Sequence, residues 1–262
     1  MAESTHREAL VTLFSTGGFV APEEETDDLI AHAAGDDELL TALVERRLTG
    51  EPLAWITGQL RFCDMEIRVD PGVYVPRRQS QALAHRAVTC LPPRGAAIDL
   101  CTGTGAIAKV LSTAHPGARV VASDVDERAV ACARSNGVEA FCGDLFTPLP
   151  RSLQGDVDVV IGVVPYVPTP ALALLQRDAL AFESPLSYHG GPDGTDILRR
   201  VLRGSRRFLR PGGVILLEVG GEQADILLDD MAQLGYDDLV VLFDDEDDVR
   251  GIEAVWRSAP SR

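Results

Sequence analysis

The sequence predicts an α/β fold, a parallel doubly wound sheet preceded by a small helical region and a hairpin linker. Three observations predict it. From Ala96 onward, short apolar runs (AAIDL, ARVVAS, GVEAF, DVDVVIG, GVILLEV) alternate with helical segments, the rhythm of strand–helix–strand units whose strands lie parallel. Before about residue 90 the rhythm differs: apolar residues recur every three to four positions, as in a helix with one buried face. Between the two, RFCDMEIRVDPGVYVP carries Phe62, Ile67, Val69, Val73 and Val75 in an extended pattern that suggests a hairpin.

In chain order, Leu10, Leu13 and Phe14 mark a first helix, Leu29 and Ile30 a second, and Leu39, Leu40, Leu43, Val44 and Leu48 a third. Thr49-Gly50 and Pro52 stop the last of these. In RRVLRGSRRFLR, residues 199–210, the arginines fall at helical spacing opposite Ile197, Leu198, Val201, Leu202 and Leu209, which predicts the solvated face of an amphipathic helix. Two apolar runs in DDLVVLFDDEDDVRGIEAVWR are joined only by a polar loop and should pair as a hairpin, with the acidic run 244–248 as its solvated tip.

Composition narrows the function classes. The chain has 262 residues, 45% of them hydrophobic, enough to fill the core of one large α/β domain or a medium one with an appendage. Apolar runs stop well short of the roughly 20 residues of a membrane span, and the start MAESTHREAL has no apolar secretory segment, so no membrane association is expected. Five widely spaced cysteines, with no Cys-x-x-Cys pair, argue against a disulfide framework or a zinc site and fit a reducing cytoplasm. The net charge of −16 repels phosphate backbones, so no nucleic-acid partner is expected.

The chemistry is expected at the carboxyl ends of the strands, where open α/β sheets bind ligands. Gly103-Thr104-Gly105-Ala106-Ile107-Ala108 fits G-x-G-x-x-A between a strand and a helix, and Asp124 ends the next strand about 20 residues on. That pattern alone suits either a dinucleotide or S-adenosylmethionine. Asp99, at the end of the preceding strand, separates them: a carboxylate there repels a pyrophosphate but suits a ligand carrying a sulfonium and an ammonium. Asp144 in GDLF adds an acid after a third strand, placed to bond an adenine amino group, with Leu145 and Phe146 covering the ring.

These residues resemble the protein-glutamine N5-methyltransferases that act on translation release factors. The resemblance runs through GEPLAWITGQLRF (50–62), VYVPRRQSQAL (73–83), DLCTGTGAIA (99–108), ASDVDERAVACAR (122–134), GDLF, FESPLSYHGGPDG (182–194) and LRPGGVILLEVGGEQ (209–223). It implies a class I S-adenosylmethionine-dependent methyltransferase Rossmann-like fold over residues 77–262, a helical substrate-recognition domain over 1–58 and a hairpin linker over 59–76. It further implies S-adenosylmethionine held by Arg77, Asp99, Thr102, Gly103, Gly105, Asp124, Val125, Asp144, Leu145 and Val163, with Val164, Pro165, Tyr166 and Glu183 at the reacting nitrogen.

The sequence departs from the family where the acceptor is gripped. Val163-Val164-Pro165-Tyr166 stands where the family usually has Asn-Pro-Pro-Tyr, whose Asn side-chain carbonyl and first proline carbonyl accept the two N–H bonds of the amide. Here the Val164 carbonyl remains, beside an apolar wall. Gln79 and Gln81 replace the usual acids after Pro-Arg, and Cys101 replaces the first glycine of the glycine run, as a packing residue. Glu183, Tyr188 and His189 would suit an acceptor with several N–H groups, although Glu183 equally fits a helix cap or an arginine partner. The expected acceptor is therefore a guanidino, amide or amino nitrogen of a small molecule or free amino acid such as arginine. The alternatives are the glutamine of a release factor, and a module that binds S-adenosylmethionine or a protein without catalysis. The sequence leaves the oligomeric state open.

Overall fold

The computed structural model describes residues 2–175, 181–244 and 246–257. Three helices open the chain, α1 (Ala2–Thr16), α2 (Pro22–Ala33) and α3 (Asp37–Leu48). The third starts where Asp36 accepts the Leu39 amide at 2.9 Å, and Pro22 sits in the first turn of the second, where its missing N–H costs nothing. Leu10, Phe14, Leu29, Leu40, Leu43, Val44 and Ile56 form a core of their own. Arg47, almost wholly buried, crosses it to Glu25 at 2.6 Å. A short helix α4 (Leu53–Thr57), absent from the sequence expectation, follows Pro52 and contributes Ile56.

Strands β1 (Gln59–Phe62) and β2 (Met65–Arg68) pair antiparallel through Cys63 and Asp64, both in the left-handed region that a two-residue hairpin turn demands. The extended pattern predicted through Val75 ends as pairing at Arg68. Val69 and Val73 are instead buried in a strap that runs along the main domain, where Trp55 Nε1 donates to the Val73 carbonyl at 2.9 Å.

Helix α5 (Ser80–Cys90) leads into the seven-stranded sheet. Its strands are β3 (Ala96–Leu100), β4 (Arg119–Asp124), β5 (Glu139–Cys142), β6 (Val157–Gly162), β7 (Leu209–Glu218), β8 (Tyr236–Phe243) and β9 (Val249–Trp256). Their order is β5-β4-β3-β6-β7-β9-β8, parallel as far as β7, with β9 antiparallel to β7 and paired to β8 as the tail pattern predicted. Helices α6 (Ala106–Ala114) and α7 (Glu127–Ser135) connect β3 to β4 and β4 to β5. Because the chain passes from β3 outward to β5 and then returns to β6 on the other side of β3, connections diverge above the carboxyl ends of β3 and β6, leaving a crevice there.

The arginine-rich stretch is only partly helical. Helix α8 (Asp196–Ser205) buries Leu198, Val201 and Leu202 completely, each contributing roughly 1.5–3 kcal/mol. It stops at Ser205, however. A turn through Arg206–Phe208 follows, and Leu209 and Arg210 belong to β7, where Leu209 pairs with Val157 and Arg210 reaches Asp158 at 2.6 Å. Helical spacing through 210 was fortuitous, because burying Phe208 and Leu209 against the sheet outweighs continuing the helix. Helix α9 (Gln223–Leu234) then packs on the sheet. Within the acidic run, Asp244 and Asp248 pair with Arg250; Asp245 lies outside the described residues.

Candidate functional site

The crevice holds a cavity of about 310 Å³. Its wall combines four stretches: the strap (Gly72 to Tyr74, Arg77, Gln79), the turn after β3 (Cys101, Gly103), the end of β4 with its turn (Asp124–Asp126), and the loop after β6 (Val163–Val167). Ser184, Leu186, Ser187 and Tyr188 close one side. A recess of about 30 Å³ adjoins it, bordered by Asp99, Thr102, Thr104 and Val163.

On the β3–β4 side, carboxylates organise backbone. Asp124 accepts the Gly103 amide at 2.9 Å and the Asp126 amide at 3.0 Å, and burial pushes its carboxyl above the usual range. Asp99 is buried, accepts Thr102 Oγ1 at 2.6 Å and the Ala108 amide at 3.2 Å, and is pushed by that burial to about 7. An acid raised by desolvation is one that a bound cation would ionise, which is the property a sulfonium or ammonium ligand exploits. Cys101 sits at φ 55, the conformation a glycine there would adopt freely, and burial raises its thiol, so it packs rather than reacts.

Several residues expected at the cofactor lie off the main cavity wall. Gly105 stands outside the cavity wall: a Cβ there would come within 2.9 Å of Ala133 and Val138, so its bareness lets α6 approach α7 and β5. Asp144 is half exposed and paired with Arg200, which turns it toward α8 rather than the cavity. Leu145 is buried in the core, its carbonyl accepting Ser123 Oγ. Thr102 faces the recess. Arg77, Gly103, Asp124, Val125 and Val163 do share the main wall.

On the β6 side, Val163, Val164, Pro165 and Tyr166 form a continuous wall, with Val164 itself 1% exposed. Among the described residues no donor reaches the Val164 carbonyl. The loop is held from behind. The Tyr166 carbonyl accepts Gln223 Nε2 at 2.6 Å, and Val167 forms a bridge with His189. A Cβ on Gly190 would fall 2.7 Å from Tyr166 Cα, so only glycine lets the two segments lie this close. The Tyr166 hydroxyl donates to Glu218 Oε1 at 2.9 Å, and burial together with Glu218 raises its pKa far above the ordinary phenol value.

Glu183 is not part of the cavity wall. It is 5% exposed, accepts the Val75 amide at 2.9 Å and Arg77 at 2.5 Å, and takes the Tyr188 hydroxyl as well. It fastens the strap to the 183–188 segment, the plainer of its two expected roles. His189 bonds Thr169 Oγ1 at 3.0 Å and is not part of the wall. Glu218, by contrast, was not singled out from the sequence. It is 2% exposed at the end of β7 and gathers Ser80 Oγ at 2.6 Å, Gln79 Nε2 at 3.2 Å and Tyr166. An acid closing the apolar run GVILLE was the available signal, the same one that marked Asp99.

The family described as methyltransferase small domain matches residues 64–143. A release factor glutamine methyltransferase of Moorella thermoacetica is 32% identical over 86% of this chain and 89% of its own. One from Streptomyces coelicolor is 34% identical over 83% of each chain. The chain belongs to the release factor glutamine methyltransferase family. It is thus an S-adenosylmethionine-dependent N-methyltransferase. Its fold is shared with a ribosomal protein L11 methylase of Lactobacillus delbrueckii, at TM-score 0.51 and 17% identity, covering 74% of this chain and 86% of that one. The raised carboxyls of Asp99 and Asp124 around the glycine turn fit the family's cationic cofactor.

Proposed function

We propose that this methyltransferase modifies the side-chain amide nitrogen of a glutamine in a peptide chain release factor. The observation that carries this reading is the engagement of Glu183. The acid that would have attracted a guanidinium or amine already holds Arg77, Tyr188 and the Val75 amide, so the β6 side offers an apolar wall and neutral carbonyls. Such a wall suits an uncharged carboxamide and disfavours a desolvated cation. The relatives aligned along most of the chain carry the same activity in their names.

S-adenosylmethionine, when bound, supplies an electrophilic methyl group. Asp124 is proposed to hold its ribose hydroxyls, with Gly103 and Val125 beside them and Asp99 favouring the cationic end. The Val164 carbonyl accepts one N–H of the substrate amide, and Pro165 and Tyr166 press on its plane, directing the nitrogen lone pair toward the methyl carbon. As the N–C bond formed, the methyl–sulfur bond of the sulfonium would break to leave a neutral thioether, and one N–H proton would pass to solvent water. Tyr166 is not the base that takes it: its hydroxyl stays protonated and donates to Glu218. The helical region 1–58 is proposed to recognise the protein substrate.

Incubation with S-adenosylmethionine and purified release factors, followed by peptide mass spectrometry, tests this. One glutamine should gain the mass of a methylene. Unmodified release factors alongside methylated free arginine would overturn it.

A further inference from the structure

The β6 loop supplies one acceptor, the Val164 carbonyl, whereas a primary amide presents two N–H groups. Leaving the second unpaired in a partly desolvated site would slow transfer by about tenfold or more. Most polar groups on the wall are committed. The Tyr166 hydroxyl donates to Glu218, the Tyr188 hydroxyl to Glu183, and Asp124 is bonded to the Gly103 and Asp126 amides. Gln79 is the single carboxamide among the described lining residues.

The orientation of that carboxamide follows from its partners. Its nitrogen lies 3.2 Å from Glu218 Oε1 and 3.2 Å from the Tyr166 hydroxyl oxygen. A carboxylate oxygen accepts and cannot donate, and the Tyr166 proton is already directed to Glu218, so the NH₂ end of the amide must face this pair. Oε1 is thereby turned to the other side, and no donor reaches it among the described residues. The anchor is firm: the adjoining Ser80 is buried, and its hydroxyl donates to the same Glu218 at 2.6 Å.

We propose that the side-chain carbonyl of Gln79 is the second hydrogen-bond acceptor for the methyl-accepting nitrogen, completing with the Val164 carbonyl the two-point grip on an amide NH₂. This rests on the reading that the acceptor is a carboxamide. Glu218 is a positioning residue here, fixing which face of Gln79 the substrate meets, and Gln79 selects for a donor-rich neutral group.

A double-mutant cycle on methyl transfer to a release factor tests the assignment. Gln79→Ala should lower kcat/KM about tenfold or more while S-adenosylmethionine affinity by calorimetry stays within about threefold. Tyr166→Phe removes the hydroxyl through which Gln79 would act if it only oriented the ring. With direct contact, Gln79→Ala should cost about as much in the Tyr166→Phe background as in the wild type. Loss of less than about twofold from Gln79→Ala, or no further loss when it is added to Tyr166→Phe, would overturn it. A wild type that transfers no methyl to any release factor removes the functional reading itself and this inference with it.

Discussion

The two sides of the cavity are built in opposite ways. On the β3–β4 side, Asp99 and Asp124 bond backbone amides a few residues or one strand away, so the binding surface is a local motif shaped by its own turn. On the β6 side the wall consists of side chains from segments far apart in sequence: Gln79 and Tyr166 meet Glu218, while Arg77 and Tyr188 meet Glu183. The first arrangement is held by the turn's own backbone. The second leaves the acceptor grip to a network in which a lost group can be replaced from another element, as Gln79 does where Val163 offers no hydrogen bond.

The largest effect should come from breaking the network at its buried node. Glu183→Ala removes the partner of Arg77, Tyr188 and the Val75 amide from a site 5% exposed. Loss of a buried pairing of this kind costs about 3 kcal/mol, read as a lower urea midpoint at unchanged slope. Because the strap also carries Tyr74 and Arg77 onto the cavity wall, cofactor and acceptor affinity should fall together. A stable variant defective only in the acceptor step would return Glu183 to the catalytic role expected of it from sequence.

Tyr166→Ala should separate the two sides instead. Turnover on release factor should drop roughly 100-fold, and S-adenosylmethionine affinity should change less than about threefold, since removing alignment at the reacting nitrogen acts on the chemical step. Equal losses would mean that the loop is structural. The mirror image is Asp124→Ala, which should weaken S-adenosylmethionine binding at least about tenfold by calorimetry through loss of charge-assisted hydrogen bonds. Unchanged affinity would place the ribose elsewhere.

This asymmetry also explains what the sequence revealed. Asp99, Gly103 and Asp124 are legible because a strand end, a glycine turn and an acid lie in a fixed spacing, and the sheet follows from apolar runs that alternate with helices. Glu183 fits two roles in the sequence because a carboxylate on a loop reads the same whether it meets substrate or Arg77, 106 residues away. Asp144 is ambiguous for the same reason, its partner Arg200 being 56 residues distant. Glu218 passed unremarked and Gln79 was seen only as a replacement for an acid, since their pairing depends on β7 ending beneath α5. The helix drawn through Arg210 failed differently: spacing cannot sense that Leu209 has a strand partner in Val157.

Asp99 gives the cofactor side a pH signature. Its carboxyl is raised to about 7 in the folded chain, so the folded state keeps a proton that the unfolded state releases near its ordinary value. This group's effect therefore destabilises the fold as pH rises from about 4 to about 7, and is constant above that. A cationic ligand favours the ionised form, so S-adenosylmethionine affinity should weaken severalfold between about pH 8 and about pH 6. Asp99→Asn should flatten that profile. A profile of the same slope in the variant would assign it to another group.

The smallest effect tests whether the network compensates fully for the apolar loop. Val163→Asn with Val164→Pro supplies a side-chain carbonyl on the β6 side while the carbonyl of residue 164 is kept. If Gln79 already meets the second N–H, the added group competes for a bond that exists, and release-factor methylation should rise only about two- to fivefold, below the roughly tenfold that an unpaired N–H would return. In the Gln79→Ala background the same change should help more, because the second acceptor is then missing. A gain of equal size in both backgrounds would show that the two carbonyls act on different parts of the substrate, and a loss in both would mean that the wall around Val163 has been shaped for an acceptor other than a primary amide.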